Sequence, residues 1–359
     1  MAQGAKRETE RVLTRRELNR ALLARQLLLE RSPARLPRAL ERVGGIQAQY
    51  APSMYVGLWS RLRDFEPASL TRALERRSVV QGTLMRVTIH LVSADDWWPL
   101  SVAVREPRRD LWVRAHRGEP SAKEMATIAR RLRPHLSKGE LTRKELGEVA
   151  GDAARINGAN LWVEMVRVPP SGTWKRRRAD LFAGAEQWLG PAGDIALDAA
   201  RDHLVTRYLA AFGPARPAEI ADWGGVRPKD IAPSLERLDL RAFRDTDGRE
   251  LLDLPRAPLP DPETPAPPRF LPVWDATLLV HARRTGILPE EHRKRVFNVR
   301  TPQSVNTFLV GGEVAGTWRW EKDRIQLSPF GKLARRVRGE LDAEAERLAE
   351  FHRQADATA

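Results

Sequence analysis

The sequence predicts an α+β protein, mainly helical, in which three helix-rich units each carry strands after their helices, the third in a clear β-hairpin, and a small antiparallel β unit follows. Three observations carry this. Residues 201–254 read as three helices and a hairpin, in the order of a winged helix. The phrases "LTRREL" (13–18) and "LTRKEL" (141–146) open two helices in the same way. Beyond a proline-rich stretch at 257–268, helical spacing gives way to strand-like alternation.

In the first hundred residues, "RRELNRALLARQLLLE" and "ARLPRALERVGGI" have helical spacing, and "GTLMRVTIHLVS" alternates like a strand. Thr14 with Glu17, and Thr142 with Glu145, have the spacing of capping boxes. Helices are expected in "KEMATIARRLRPHL", "LTRKELGEVAG" and "NLWVEMV", before a Pro-Pro-Ser-Gly turn and a basic second strand in "RVPPSGTWKRRR". The clearest unit has a helix over 201–212, a short helix "AEIADW" ended by Gly224 and Gly225, and a helix with Pro228 in its first turn. Its hairpin turns at Asp247-Gly248. The expected boundaries are 10–118, 119–195 and 196–256 for three winged helices, 257–268 for the linker, and 269–359 for the last unit. That unit reads as three strands in "NTFLVGGEVAGTWRWEKDRIQLSPF" with a closing helix, "GKLARRVRGELDAEAERLAEFHRQ".

Composition narrows the function classes. The chain has 359 residues, 52 arginines against nine lysines, and a net charge of +14, which predicts a polyanionic partner even if part of the arginine bias is compositional. No apolar run reaches the roughly 20 residues of a membrane span, and the N-terminus has no signal-type apolar stretch, so a cytoplasmic protein is expected. The absence of cysteine excludes disulfides and thiolate chemistry. The histidines show no metal-ligand spacing, and there is neither a Walker A loop nor a GxGxxG helix opening, so no metal and no cofactor are expected.

The residues that invite a chemical reading come in short groups. Gln47 and Gln49 flank Ala48, after Gly44-Gly45 and before Pro52. In "RVTIH", alternation would place Arg86, Thr88 and His90 on one strand face. They either stand beside a base and the phosphates of a bound nucleic acid or form the polar face of a strand. "LPVWDATLLVHARR" offers Asp275, His281, Arg283 and Arg284; Asp275 either steadies a developing positive charge or orients a water, or is a buried ion-pair partner. Lys175, Arg176, Arg177 and Arg178, and also Arg227 and Lys229, read as phosphate contacts, whereas "EEHRKR" is a phosphate contact or a solvated face. Trp97-Trp98 and Trp318 with Trp320 either stack on bases or belong to the core.

The phrases "GGIQAQYAPSMYVGLWSRL", "LMRVTIHLVSADDW", "YLAAFGPARPAEIADWGGV", "RFLPVWDATLLVHARR" and "VGGEVAGTWRW" stand in the order found in the AlkZ-like (YcaQ-type) winged-helix DNA glycosylases, which the chain resembles over about residues 12 to 354. The resemblance implies three tandem winged helices and a β-barrel-like C-terminal unit in a C shape around double-stranded DNA. It also implies hydrolysis of the N-glycosidic bond of alkylated purines, in some members within bulky or cross-linked lesions. The family's catalytic motif is glutamine, aliphatic residue, glutamine, which maps onto Gln47-Ala48-Gln49.

A glutamine amide takes up no proton near neutral pH and cannot be a general base. A purine alkylated at N7 or N3 already carries a positive charge and departs as a neutral base, so a general acid is unnecessary. What remains is to hold the lesion, stabilise an oxocarbenium-like sugar and present a water. Residues i and i+2 share a face only in extended backbone, so this chemistry requires "IQAQ" to be extended. No lysine is placed for a Schiff base, so no AP-lyase activity is expected. The alternative is a non-catalytic DNA-binding protein or transcriptional regulator. A regulator reads two-fold sites as a dimer, whereas one chain with three winged helices is expected to be a monomer.

Overall fold

The computed structural model describes residues 9–178, 180–283, 286–297 and 304–358, in a mixed α/β arrangement that is about half helical. The chain opens with β1 (Thr9–Leu13), α1 (Arg15–Arg25), α2 (Leu36–Val43), β2 (Ile46–Gln47), α3 (Ala51–Arg61) and α4 (Pro67–Glu75). Thr14 caps α1 in a complete capping box with Glu17, as its spacing predicts. Gly44, at φ 75°, ends α2 in the left-handed conformation that glycine adopts without a Cβ penalty.

"GTLMRVTIHLVS" is not one strand. β3 (Val79–Thr83) and β4 (Ile89–Ser93) form an antiparallel hairpin, pairing Val79 with Ser93 and Thr83 with Ile89. Between them Met85–Val87 makes a 3-10 turn in which Arg86 and Val87 have φ of 55° and 59°. Neither is a glycine or asparagine, so the turn carries none of the composition that marks such conformations in a sequence. Of the three residues expected on one strand face, only His90 lies on a strand.

α5 (Ala94–Ala115) then leads through α6 (Ala122–Leu136), β5 (Leu141–Thr142), α7 (Arg143–Ala150) and α8 (Ala153–Ala159) to β6 (Met165–Arg167), β7 (Leu181–Gly184) and α9 (Ala185–Leu189). Thr142 and Glu145 form the second capping box. The helix expected in "NLWVEMV" is displaced upstream: Asp152 caps α8 through the Arg155 N–H, and Asn160 ends it by accepting from the Met165 N–H at 2.8 Å. The basic residues Lys175–Arg178 are on the loop between β6 and β7, not on a second strand. That loop is closed by the Ser171 hydroxyl, which accepts from the N–H groups of Asp180 and Leu181. Both hairpins join one six-stranded sheet, in the order β2-β4-β3-β6-β7-β5.

The best-marked segment follows its predicted element order: α10 (Leu197–Phe212), α11 (Pro217–Gly224), α12 (Pro228–Arg237), β8 (Arg241–Asp245) and β9 (Glu250–Asp253). β1 pairs in parallel with β8, so the N-terminal strand completes a sheet formed by residues more than 200 positions away. Helix α10 packs on α5, α2 and α12 and buries Leu204, Tyr208 and Phe212.

Beyond the linker, β10 (Arg269–Leu271), the one-turn helix α13 (Arg293–Val296), β11 (Thr307–Val310), β12 (Glu313–Glu321), β13 (Arg324–Pro329) and the long α14 (Arg335–Thr358) complete the chain. The three C-terminal strands agree with the sequence pattern. The sheet β10-β11-β12-β13 is open, however, and its two edges do not pair to close a barrel. Helix α14 packs on β13 and α4, with Leu341, Leu348 and Phe351 in the same core as Trp59 and Trp318.

Candidate active site

Helix α2 stops at Gly44, and after Gly45 the strand β2 begins at Ile46. Its two residues pair with β4, Ile46 opposite Leu91 and Gln47 opposite His90. The Ala48 N–H continues the ladder to the Ile89 carbonyl at 2.7 Å, so the segment is extended through Ala48 before α3 starts at Ala51. The two glutamines then diverge. Gln47 is buried, at 6% exposure, while Gln49 is exposed and its Oε1 accepts the Ile89 N–H at 3.3 Å.

Gln47 lines a narrow cleft together with Gln26, Ser53, Arg61 and the backbone turn that carries Asp275. Among the described residues its side-chain amide makes no hydrogen bond and is open to the cleft, whereas the Ser53 hydroxyl beside it is buried without a partner. Arg61 and Asp275 form a bidentate pair in the wall of the cleft, with Nη1 to Oδ2 at 2.9 Å and Nη2 to Oδ1 at 3.0 Å. Asp275 also accepts from the backbone N–H and hydroxyl of Thr277, and Arg61 reaches the Gln26 Oε1. Asp275 is thus an ion-pair partner and a cleft residue at once. The sequence marked Asp275 but not Arg61, whose only local signal is a charge within the apolar phrase "MYVGLWSRL".

His90, across the strand from Gln47, is buried, and desolvation lowers its pKa to about 3, helped by the nearby Arg86 charge. It is therefore a neutral imidazole near pH 7, with an Nδ1–H that donates to the Thr88 carbonyl at 3.0 Å. His281 is buried and held well below its usual range by desolvation, with the Arg86 cation adding to the shift. Arg86, His90 and His281 are thus near enough to act on one another's charge, with both rings buried rather than on a solvent face. Arg86 is half-buried and donates to the Trp223 carbonyl, and burial lowers its pKa to about 10. The Thr88 hydroxyl closes its own turn onto the Met85 carbonyl at 3.0 Å.

Arg283 lies apart from the cleft. Its guanidinium donates to the Phe212 and Pro214 carbonyls and to Glu219, which ties the end of α10 to α11. Arg284 lies outside the described residues. Arg227 is exposed but folds onto Asp230 as it caps α12, and Lys229 is exposed in the first turn of that helix. Trp97, Trp98 and Trp318 are core residues.

Trp320 is different. It is half-buried, stacks on His352 at 4.6 Å, and lines a groove with Tyr50, Arg177 and Arg319. This groove adjoins the Gln47 cleft, since Ser53 and Pro272 line both. Arg177 is anchored on the rim by the Tyr50 hydroxyl at 3.2 Å. Lys175 and Arg178 are exposed on the same loop, and Arg176 pairs with Asp180 at 2.9 Å.

A buried amide opposite a neutral imidazole, reached from a cationic and aromatic groove, is a site suited to a polyanion bearing a neutral leaving group. The family model described as DNA glycosylase AlkZ-like matches residues 40–351, and the chain belongs to that family of DNA-binding repair glycosylases. Among solved structures, the Streptomyces sahachiroi DNA glycosylase AlkZ has the same fold, with a TM-score of 0.79 at 18% identity over 94% of this chain and 97% of that one. No curated protein matches the sequence. Among the described residues no helix is long and apolar enough to cross a membrane.

Proposed function

We propose that this chain is a monofunctional DNA glycosylase that releases cationic N7- or N3-alkylated purines, bulky or cross-linked ones included, and that Gln47 and Gln49 are its catalytic residues. The observation that carries this reading is the Gln47 amide: it is buried, it has no partner among the described residues, and it faces a cleft that opens beside a cationic groove. Among the described residues the amide atoms are free of protein partners and reachable from the cleft, so a water or sugar oxygen beside the lesion would hydrogen-bond to them.

In this mechanism the Gln47 Oε1 accepts a hydrogen bond from the attacking water and orients its lone pair toward C1′ of the sugar. Gln49 has its carbonyl engaged by the Ile89 N–H and presents only its NH2 group, which suits a donor to a sugar or phosphate oxygen at the rim. The two amides thus divide the task instead of gripping one water. Asp275, with its charge held by Arg61, fixes the opposite wall and contributes negative potential next to a developing oxocarbenium ion. His90 is neutral and serves as no proton donor, in keeping with a leaving base that needs none. In this reading Arg177 and Arg319 line the groove by which the duplex enters, with Lys175, Arg176, Arg178, Arg227 and Lys229 as outlying phosphate contacts. The scaffold would be three winged-helix units over 10–118, 119–195 and 196–256 and the C-terminal β unit, acting as a monomer.

The test is base release from duplex DNA containing one N7-methylguanine. Wild type should release it, and Gln47→Ala should lose more than about tenfold in rate, or about 1.4 kcal/mol of barrier, with DNA binding retained. Gln49→Ala should lose less than Gln47→Ala. If neither N7-methylguanine nor a bulky N7 adduct is released while DNA is still bound tightly, the chain is a binding protein.

A further inference from the structure

The cleft beside the Gln47 amide has a free volume of about 10 Å³, which is room for about one water and far too little for a purine. The groove that adjoins it has about 330 Å³, within the range of roughly 300–1,000 Å³ that small-molecule sites occupy. Ser53 and Pro272 form a wall common to both. Direct displacement at a glycosidic carbon needs two such places, because the water reaches C1′ from the face of the sugar that the departing base does not occupy.

The groove has the lining that a flat cation requires. Tyr50, the residue after Gln49 and the N-cap of α3, is 43% exposed. Trp320, on β12, stacks on His352 with the rings 4.6 Å apart and 17° from parallel. Trp174 and Trp318 meet the His352 ring edge-on, at 5.2 and 6.0 Å, so the Trp320 indole rests on a fixed support. Burial lowers the pKa of His352 to about 4, so near pH 7 this support is neutral and puts no positive charge against the indole. Arg177, held by the Tyr50 hydroxyl, and the exposed Arg319, which has no partner among the described residues, line the same groove.

We infer that the groove lined by Tyr50 and Trp320 receives the alkylated purine itself, out of the base stack, while the Gln47 cleft holds the single water that attacks C1′. The inference rests on the glycosylase reading and deepens it, since it gives the leaving base a place. A purine alkylated at N7 or N3 is flat and carries a full positive charge, and the faces of Trp and Tyr attract it more strongly than the neutral, undamaged base. The two arginines then face the phosphates beside an extruded nucleotide, whose negative charge offsets theirs. As the C1′–N9 bond breaks, its electrons neutralise the purine, the water oxygen bonds to C1′, and the surplus proton of the water passes to solvent. The released base is neutral, so the groove holds product less tightly than substrate.

The experiment takes Gln47→Ala, in which base release is slowed, and adds Trp320→Leu, Tyr50→Ala or Tyr50→Phe. Binding is measured for a duplex with one N7-methylguanine, for the same duplex undamaged, and for the nucleosides N7-methylguanosine and guanosine. Gln47→Ala alone should prefer the damaged duplex and N7-methylguanosine. Trp320→Leu and Tyr50→Ala should each weaken binding of these two by about tenfold, with little change for the undamaged duplex. Tyr50→Phe, which keeps the ring, should lose less than Tyr50→Ala. If Trp320→Leu fails to fold, Tyr50→Ala, at an exposed position, carries the test alone. Unchanged affinities in both ring variants overturn the groove assignment, whatever wild type does to DNA. Equal weakening for damaged and undamaged duplex overturns it too, because a backbone contact and not a base contact was then lost. If the ring variants, with Gln47 in place, slow release of a bulky N7 adduct but not of N7-methylguanine, the groove takes the substituent of the adduct and the base assignment falls. Selective weakening in the ring variants, without base release by wild type, instead sinks the glycosylase reading and leaves a purine-binding groove standing.

Discussion

Arg61 and Asp275 stand 214 positions apart in the chain and meet through two parallel hydrogen bonds, both side chains being almost fully buried. The pair joins the last residue of α3 to the turn after β10, and so fixes the C-terminal unit against the segment that carries Gln47. Everything proposed for the cleft depends on this junction.

Asp275→Asn leaves the Arg61 cation buried without its counter-charge. The expected loss is about 3–5 kcal/mol of stability, read as a shift in the denaturant midpoint. The double substitution Arg61→Met with Asp275→Leu should lose less than Asp275→Asn alone. Equal losses would mean that the bidentate geometry, and not the stranded charge, sets the cost.

Acid should destabilise the protein through its buried histidines. Desolvation holds His90 near 3 and His352 near 4, against 6.5 for an ordinary histidine, and His281 is also shifted well down. Each binds a proton more readily in the unfolded chain, so its contribution is complete above pH 6.5 and is lost as pH falls toward the folded-state value. The slope approaches about 1.4 kcal/mol per pH unit for each histidine. Denaturant titrations at pH 7, 6 and 5 should show it, and His352→Phe should flatten it. A stability that stays level between pH 7 and 5 would refute the burial of these rings as neutral imidazoles.

The capping boxes make a local prediction. Thr142→Ala removes the acceptor for the Glu145 N–H and one of the two Thr142 donors to the Glu145 carboxylate, at a cost of about 1 kcal/mol. Amide exchange should accelerate in the first turn of α7 and stay unchanged in α14. Uniform acceleration across both helices would mean that the cap acts on global stability.

Two helical glycines should respond with opposite sign. A Cβ on Gly158 would come within 2.4 Å of the Met125 sulfur and 2.6 Å of the Trp112 ring, so Gly158→Ala should cost at least about 1–3 kcal/mol by overpacking. A Cβ on Gly339, in α14, meets nothing within 4 Å, so Gly339→Ala should stabilise by about 0.5–1 kcal/mol. Melting temperatures of the two variants decide it.

Local chemistry was legible wherever a signal spans only a few residues. Thr14-Glu17 and Thr142-Glu145 cap their helices as spaced, Gly225 ends α11, and Asp247-Gly248 turns the β8-β9 hairpin. Signals failed where the backbone adopts a conformation its residues do not advertise. Arg86 and Val87 turn β3 into β4 with positive φ and no glycine, which made a hairpin read as one strand. Glu164, at φ 27°, did the same for the break between α8 and β6. Helices α3 and α5 also went unread, since α3 is buried along its whole length and α5 carries Pro99 and Pro107 inside it, so neither shows a clean polar face or regular spacing.

The sequence by itself determined the helix starts, the best-marked hairpin, the C-terminal strands, the basic character and the pair of glutamines, because these follow from residue types within about four positions of one another. The tertiary structure alone decided that Gln47 is buried while Gln49 is exposed, that Asp275 has Arg61 as its partner, and that two hairpins merge into one sheet. Burial and charge pairing act through space, and the local periodicity of a chain does not record which distant residues its folding brings within 3 Å of one another.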